Sequence, residues 1–281
     1  MTLIETDGIT MRFGGLVAVS DFSVAIAEGE LVGLIGPNGS GKTTVFNMIT
    51  GIYRPTENHI RFLGRDITGE RPDHITALGI ARTFQNIRLL NNLSVLDNVM
   101  IAHHVRLRSS PWEAVFRLPR YVRQEREMRD DSEHLLELVD LHGVRDVPAG
   151  SLPYGRQRRL EIARAIATQP KLLLLDEPAA GMNPQETSEL MAFIQRIRSQ
   201  FDLTVFLIEH DMKVIMGICE RILVLDYGVT IAQGSPEEIQ GNARVIEAYL
   251  GTAWDSRGAA GAPGTSGGEP IRGTEPGARD Q

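Results

Sequence analysis

Gly36-Pro37-Asn38-Gly39-Ser40-Gly41-Lys42-Thr43 follows the apolar run Glu30 to Ile35 and opens a helix-patterned stretch from Lys42 to Ile49. Strand, glycine-rich turn and helix in that order make a phosphate-binding loop. The glycines let successive backbone N–H groups turn inward around a β-phosphate, and the helix N-terminus adds the positive end of its dipole. The cradle is Gly36, Pro37, Asn38, Gly39, Ser40 and Gly41, with Thr44 beside it on the helix. Lys42 is placed to reach β- and γ-oxygens, and Thr43 to offer its hydroxyl to Mg²⁺. The spacing predicts that the chain binds ATP or GTP.

Far downstream, Leu172-Leu173-Leu174-Leu175 ends in Asp176-Glu177-Pro178. Four leucines before a carboxylate suit a central parallel strand buried on both faces, which delivers its polar residues at the carboxyl end. In a doubly wound sheet the phosphate loop lies at that same end. Asp176 is then expected in the shell of the Mg²⁺ ion, and Glu177 beside the γ-phosphate as the carboxylate that polarises an attacking water.

Between and around these motifs the chain resembles the ATP-binding-cassette (ABC) ATPases. Gln85, in Ala81-Arg82-Thr83-Phe84-Gln85-Asn86, matches that family's glutamine loop, which contacts Mg²⁺ and the lytic water and connects to a transmembrane partner. His210, in Leu207-Ile208-Glu209-His210-Asp211, matches the switch histidine that bonds the γ-phosphate. Phe13, in Arg12-Phe13-Gly14-Gly15, stands where the family places an aromatic ring to stack on adenine.

The family's signature, Leu-Ser-Gly-Gly-Gln, is matched by Leu152-Pro153-Tyr154-Gly155-Arg156-Gln157, so Pro153, Tyr154 and Arg156 depart from it. The resemblance implies that this segment binds the γ-phosphate held by another subunit. Proline brings neither hydroxyl nor N–H, although it suits the first turn of a helix, and Gly155 keeps its amide. The branch resembled most is that of ATPase subunits of branched-chain amino acid importers. Glu177-Pro178-Ala179-Ala180-Gly181-Met182-Asn183-Pro184, Ile208 to Met216 and Val245 to Gly251 carry that likeness.

The resemblance implies a P-loop NTPase (RecA-like) α/β cassette core with an antiparallel β subdomain and an inserted α-helical subdomain. Residues 1–251 are expected to form it, with the core at 1–86 and 162–251 and the helical subdomain at 87–161. Implied cofactors are ATP and Mg²⁺. Implied partners are transmembrane permease subunits, a second ABC ATPase subunit and, indirectly, a periplasmic binding protein. Such a chain would sit peripherally on the cytoplasmic face of the inner membrane. A different cassette is the expected second subunit, with a homodimer as the alternative. Rival readings are an exporter ATPase of the lipopolysaccharide-extraction type and a non-transport ABC ATPase.

Composition sets outer bounds. The 281 residues carry a net charge of −7, which argues against nucleic acid as the main partner. A single cysteine, Cys219, excludes an internal disulfide, and its apolar neighbours suggest a core position. No apolar run approaches the ~20 residues that span a bilayer. Arg117, Arg120, Arg123 and Arg126 recur every third residue and fall on one side of a helix, most simply a solvated one. His103 and His104 are adjacent and diverge on a helix. Ser235-Pro236 is read as a helix start, and residues 252–281, rich in Gly and Pro, as a disordered tail.

Overall fold

Alternate leucines of the run at 172–175 enter two different hydrophobic cores. In the computed structural model, which describes residues 1–106 and 118–249, Leu172 and Leu174 belong to one buried cluster. Leu173 and Leu175 belong to the other. Successive side chains of a strand point to opposite faces, so a strand covered on both sides has no polar positions to spare. Burying each leucine stabilises the fold by about 1.5–3 kcal/mol.

This strand, β7 (Leu172–Asp176), lies in a six-stranded sheet with β3 (Leu31–Ile35), β6 (Ile80–Arg82), β8 (Thr204–Ile208), β9 (Arg221–Asp226) and β10 (Val229–Gly234). The order is β10-β9-β3-β8-β7-β6. The five strands from β9 to β6 are parallel, and β10 closes the edge as the antiparallel arm of a hairpin with β9. A second sheet, order β2-β1-β4-β5, is antiparallel and uses β1 (Thr2–Phe13), β2 (Leu16–Ala27), β4 (Glu57–Phe62) and β5 (Arg65–Asp66).

Helix α1 (Lys42–Ile49) occupies the space between the sheets, and the short α2 (Pro72–Leu78) adds Ile75 to the same core. Val45, Phe46, Met48 and Ile49 of α1 share one cluster with Ile4, Ile26 and Phe62 of the antiparallel sheet and with Leu172, Leu174 and Phe206 of the parallel one. The opposite face of the parallel sheet is covered by α5 (Tyr154–Ala167), α6 (Pro184–Gln200) and α7 (Met212–Ile218), with α3 (Val95–His103) and α4 (Pro119–Leu138) outside them. Helix α7 comes close to β3 because Gly33 has no side chain: a Cβ there would stand 3.0 Å from Cys219 Sγ and from Ile215 Cδ1. Cys219 is buried, as its neighbours suggested.

Capping residues fix where helices begin. Asn183 and Glu186 form a capping box at the start of α6, and Ser235 and Glu238 form another at α8 (Pro236–Gln240). Arg120, Arg123 and Arg126 are exposed on α4, whereas Arg117 lies outside the described residues, as does the expected tail at 252–281. His103 is buried and His104 exposed, so the pair diverges. Helix α5 runs unbroken through residues 161 and 162 and so joins the outer helices to the strand β7 that follows. Among the described residues no helix is long and apolar enough to cross a membrane.

Candidate functional site

The turn between β3 and α1 is built so tightly that side chains are excluded. A Cβ on Gly36 would lie 2.0 Å from the Leu225 carbonyl, and one on Gly41, at φ 105°, would lie 2.6 Å from the Ala18 carbonyl. The turn is tied to the β9–β10 hairpin by the Gly228 N–H, which donates to the Ser40 carbonyl at 2.9 Å. Lys42 folds back over the loop, donating from Nζ to the Gly36 and Pro37 carbonyls at 2.8 and 2.9 Å. Burial pulls its ammonium pKa down, and the charges of Glu177 and Asp176 oppose that pull. A cleft of about 630 Å³ opens beside the loop and contains Asn38, Gly39, Gly41, Lys42, Thr43 and Thr44. Gln85 and Glu177 line its other side.

The three residues expected to act in hydrolysis converge on one carboxylate: Gln85 and Glu177 line the cleft, and His210 approaches Glu177. Glu177 follows the last residue of β7 at φ 46°, a backbone conformation that L side chains rarely adopt. Its N–H donates to the Ile208 carbonyl at 2.9 Å, which fixes the turn against β8. Its Oε2 accepts from Gln85 Nε2 at 2.8 Å and lies 3.6 Å from His210 Nδ1. His210 leaves the end of β8, so parallel neighbours β7 and β8 deliver both residues to one spot.

Asp176 sits deeper and is already paired. Its Oδ2 is 2.6 Å from Arg82 Nη2, with both side chains 5% exposed. Arg82 also donates to Asn47 Oδ1 at 2.7 Å and lies over the rings of Phe46 and Phe84. A positive charge thus stands behind the carboxylate expected to face a metal. Nothing in the spacing of Arg82 marks it as the partner of Asp176.

Glu209 is a second residue that sequence reasoning left without a role. It is 1% exposed. Its Oε1 accepts the Ala179 N–H at 2.8 Å and its Oε2 accepts the His210 N–H at 3.3 Å. Burial pushes its carboxyl pKa up, against the lowering effect of the Ala179 N–H.

The signature segment begins differently from expectation. Pro153 is extended at ψ 149° and caps α5 from outside, so Tyr154 takes the first helical position. Pro153 carries no side-chain cap, and the N–H groups of Arg156 and Gln157 both return to its carbonyl. Gly155 has open space around it, and its N–H is one of the first-turn donors that a helix leaves without an internal acceptor. Further along, Arg158 is fully buried and donates to the Phe84 and Gln85 carbonyls at 2.7 and 2.8 Å. Glu161 pairs with Arg158 at 2.7 Å and accepts from the Arg88 N–H at 3.2 Å. Tyr154 donates its hydroxyl to the Ala180 carbonyl at 2.9 Å. The signature helix therefore grips both the glutamine loop and the turn after Glu177.

Phe13 stands at the end of β1, 42% exposed, with its ring edge-on to Tyr53 at 5.2 Å between centroids. The cleft wall nearest the loop is formed instead by Leu16, Val17 and Ala18 of β2 and by Tyr227.

The ABC transporter family profile matches residues 19–180. A profile described as branched-chain amino acid ATP-binding cassette transporter matches residues 229–255. The high-affinity branched-chain amino acid transport ATP-binding protein BraF of Pseudomonas aeruginosa is 47% identical, over 89% of this chain and 98% of its own length. LivG of Escherichia coli, with the same description, is 44% identical over the same shares. A lipopolysaccharide export system ATP-binding protein, LptB of Acidithiobacillus ferridurans, is 37% identical over 89% of this chain and 97% of its own. Among solved structures, the ADP conformation of MJ1267, an ATP-binding cassette of an ABC transporter, superposes with TM-score 0.78. It shares 30% identity and covers 89% of this chain and 99% of its own. The chain belongs to the ATP-binding cassettes of ABC transporters, in the branched-chain amino acid group.

Proposed function

We propose that the chain hydrolyses ATP at Glu177 and so drives uptake of branched-chain or related amino acids through membrane permease subunits. The observation that carries the chemistry is the meeting of Gln85 and Glu177 in the phosphate-loop cleft, with His210 3.6 Å from the same Glu177 oxygen. Glu177 takes a proton from water, the resulting hydroxide attacks the γ-phosphorus, and ADP leaves. Lys42 exchanges its two carbonyl acceptors for phosphate oxygens when ATP enters. Gln85 holds Glu177 through its amide nitrogen, so its carbonyl oxygen is the atom left to contact the ion or the water. His210 bonds the γ-phosphate.

Hard oxygen donors suit Mg²⁺, and Thr43, Gln85 and Asp176 supply a hydroxyl, an amide carbonyl and a carboxylate. Among the described residues no cluster of His, Cys, Asp and Glu could hold a metal alone. That suits an ion which binds through a single carboxylate, neutral oxygens and substrate phosphates. When bound, Mg²⁺ neutralises charge on the β- and γ-oxygens.

Two cassettes closing head-to-tail over two ATP molecules complete the assembly, each nucleotide held by Phe13 and the phosphate loop of one chain and the signature of the other. Closure would move the helical subdomain, residues 87–161, against the core at 1–86 and 162–251. The permeases hold the chain peripherally at the cytoplasmic face of the inner membrane, and a periplasmic binding protein acts through them. The importer reading is favoured over the exporter one by identities of 44–47% against 37%.

The test is transport. Membrane vesicles carrying this chain with its permeases and second cassette should take up labelled leucine when given ATP and a leucine-loaded binding protein. Glu177→Gln should stop that uptake. ATP turnover indifferent to the loaded binding protein would overturn the importer reading.

A further inference from the structure

Glu209 ties together the two parts of the site that must stay in register. One carboxylate oxygen holds the backbone of Ala179, two residues past Glu177; the other holds the backbone of His210 and lies 3.8 Å from its Nδ1. That ring nitrogen therefore sits between two carboxylates, Glu177 at 3.6 Å and Glu209 at 3.8 Å. A carboxylate buried to 1% exposure is costly unless its acceptors are used, and here both oxygens meet N–H donors. The turn it anchors also carries Ala180, whose carbonyl receives the Tyr154 hydroxyl from the signature helix.

We propose that Glu209 is a positioning residue for hydrolysis: it fixes the imidazole of His210 and the turn bearing Glu177 relative to one another. This rests on the role given to His210 above. The Glu209 side chain is 1% exposed where that of His210 is 56% exposed, so Glu209 acts through His210 and the turn rather than on the nucleotide. Its effect then belongs to turnover and leaves ATP binding alone.

The experiment is a kinetic cycle on the full chain in its transporter assembly. Glu209→Gln keeps an oxygen for the Ala179 N–H but turns an amide –NH₂ toward the His210 N–H, setting donor against donor. We expect kcat to fall roughly 10- to 100-fold, the scale of a sub-ångström to 1 Å misplacement, with KM for ATP changed less than about twofold. In a His210→Ala background the same substitution should change kcat less than about twofold, because the group it orients is gone. Glu209→Asp, one methylene shorter with its charge kept, carries the same expectations if Glu209→Gln does not fold. Wild-type kcat in Glu209→Gln, or equal fold-losses in both backgrounds, would overturn the proposal while leaving the histidine's role intact. Wild-type turnover by His210→Ala alone would remove that role, and the proposal with it.

Discussion

Gln85 and Glu177, 92 residues apart in the chain, meet through a 2.8 Å hydrogen bond from the glutamine's Nε2 to the glutamate's Oε2. The bond links the loop after β6 to the end of β7, which are neighbouring parallel strands. Their meeting is therefore a consequence of strand order. It leaves Glu177 held but open to a water, 17% exposed at its side chain.

Replacing that carboxylate separates binding from chemistry. Glu177→Gln should bind ATP as the parent does and hydrolyse it at least 10²-fold more slowly, the scale of a lost general base. Lys42→Ala should weaken binding and turnover together, because its ammonium is the charge over the loop. Phosphate release and calorimetric titration with ATP read the two effects, and a wild-type rate in Glu177→Gln would remove Glu177 as the base.

Arg82 predicts a stability effect. It and Asp176 are both 5% exposed and separated by 2.6 Å. Removing one partner of a buried pair leaves an uncompensated charge and costs about 3–5 kcal/mol. Arg82→Met should lose stability on that scale in urea, with a lower thermal midpoint. A change below about 1 kcal/mol would mean that water satisfies Asp176 without the guanidinium.

What could be read beforehand divides along physical lines. The phosphate loop and the β7 run were legible because each is local: a spacing of glycines and lysine, and an alternation that a doubly buried strand cannot avoid. Gln85 and His210 were legible only through resemblance, since a lone glutamine or histidine carries no pattern. Arg82, Arg158, Glu161 and Glu209 carry buried polar side chains that no local pattern marks. Their partners lie 94 residues away for Arg82, 73 to 74 for Arg158 and 30 for Glu209, and no local rule reaches that far. Pro153 differs by one helical position because its extended ψ makes it the cap.

Phe13 tests base recognition. Its ring is 42% exposed and held edge-on by Tyr53, so one face is available to a planar base. Stacking reads an aromatic face and not its hydrogen-bonding edges, so GTP should compete measurably with ATP. Phe13→Ala should weaken nucleotide affinity by about 1 kcal/mol. Equal affinities of the two proteins by calorimetry would take Phe13 out of the site and favour the β2 wall at Leu16 to Ala18 as the base contact.

Cys219 gives a pH signature. Burial pushes its thiol up to about 12 from a reference of 9.0. The native chain thus keeps this proton through a range in which the unfolded chain gives it up. Stability held by the neutral thiol is full below pH 9 and is lost as pH rises toward 12. Urea denaturation of the parent should therefore weaken more steeply between pH 9 and 11 than that of Cys219→Ala. A thiol reagent at pH 8 should modify Cys219 only as fast as the protein opens. Rapid labelling of the folded protein would contradict its burial.

The last prediction concerns Pro153 and Arg156. In the proposed head-to-tail pair the signature serves the ATP held by the opposite cassette, so its weakness would not touch the site built on this chain's own Lys42 and Glu177. Pro153 caps α5 with no side-chain acceptor or donor, and the remaining candidates for a γ-phosphate contact are the first-turn N–H groups, Gly155 among them. A partner cassette retaining a hydroxyl in its own signature would give one strong and one weak composite site. Alone, the chain should then self-associate poorly with ATP. Pro153→Ser with Arg156→Gln restores a hydroxyl where the phosphate arrives. One charge-assisted hydrogen bond of about 1.5–3 kcal/mol shifts a dimer equilibrium by roughly 10- to 100-fold. Size-exclusion chromatography of the Glu177→Gln protein with ATP, with and without the two changes, makes the comparison. A robust homodimer formed by the unmodified signature would mean that the helix N-terminus and Gly155 suffice, and the asymmetric pair of sites would fall.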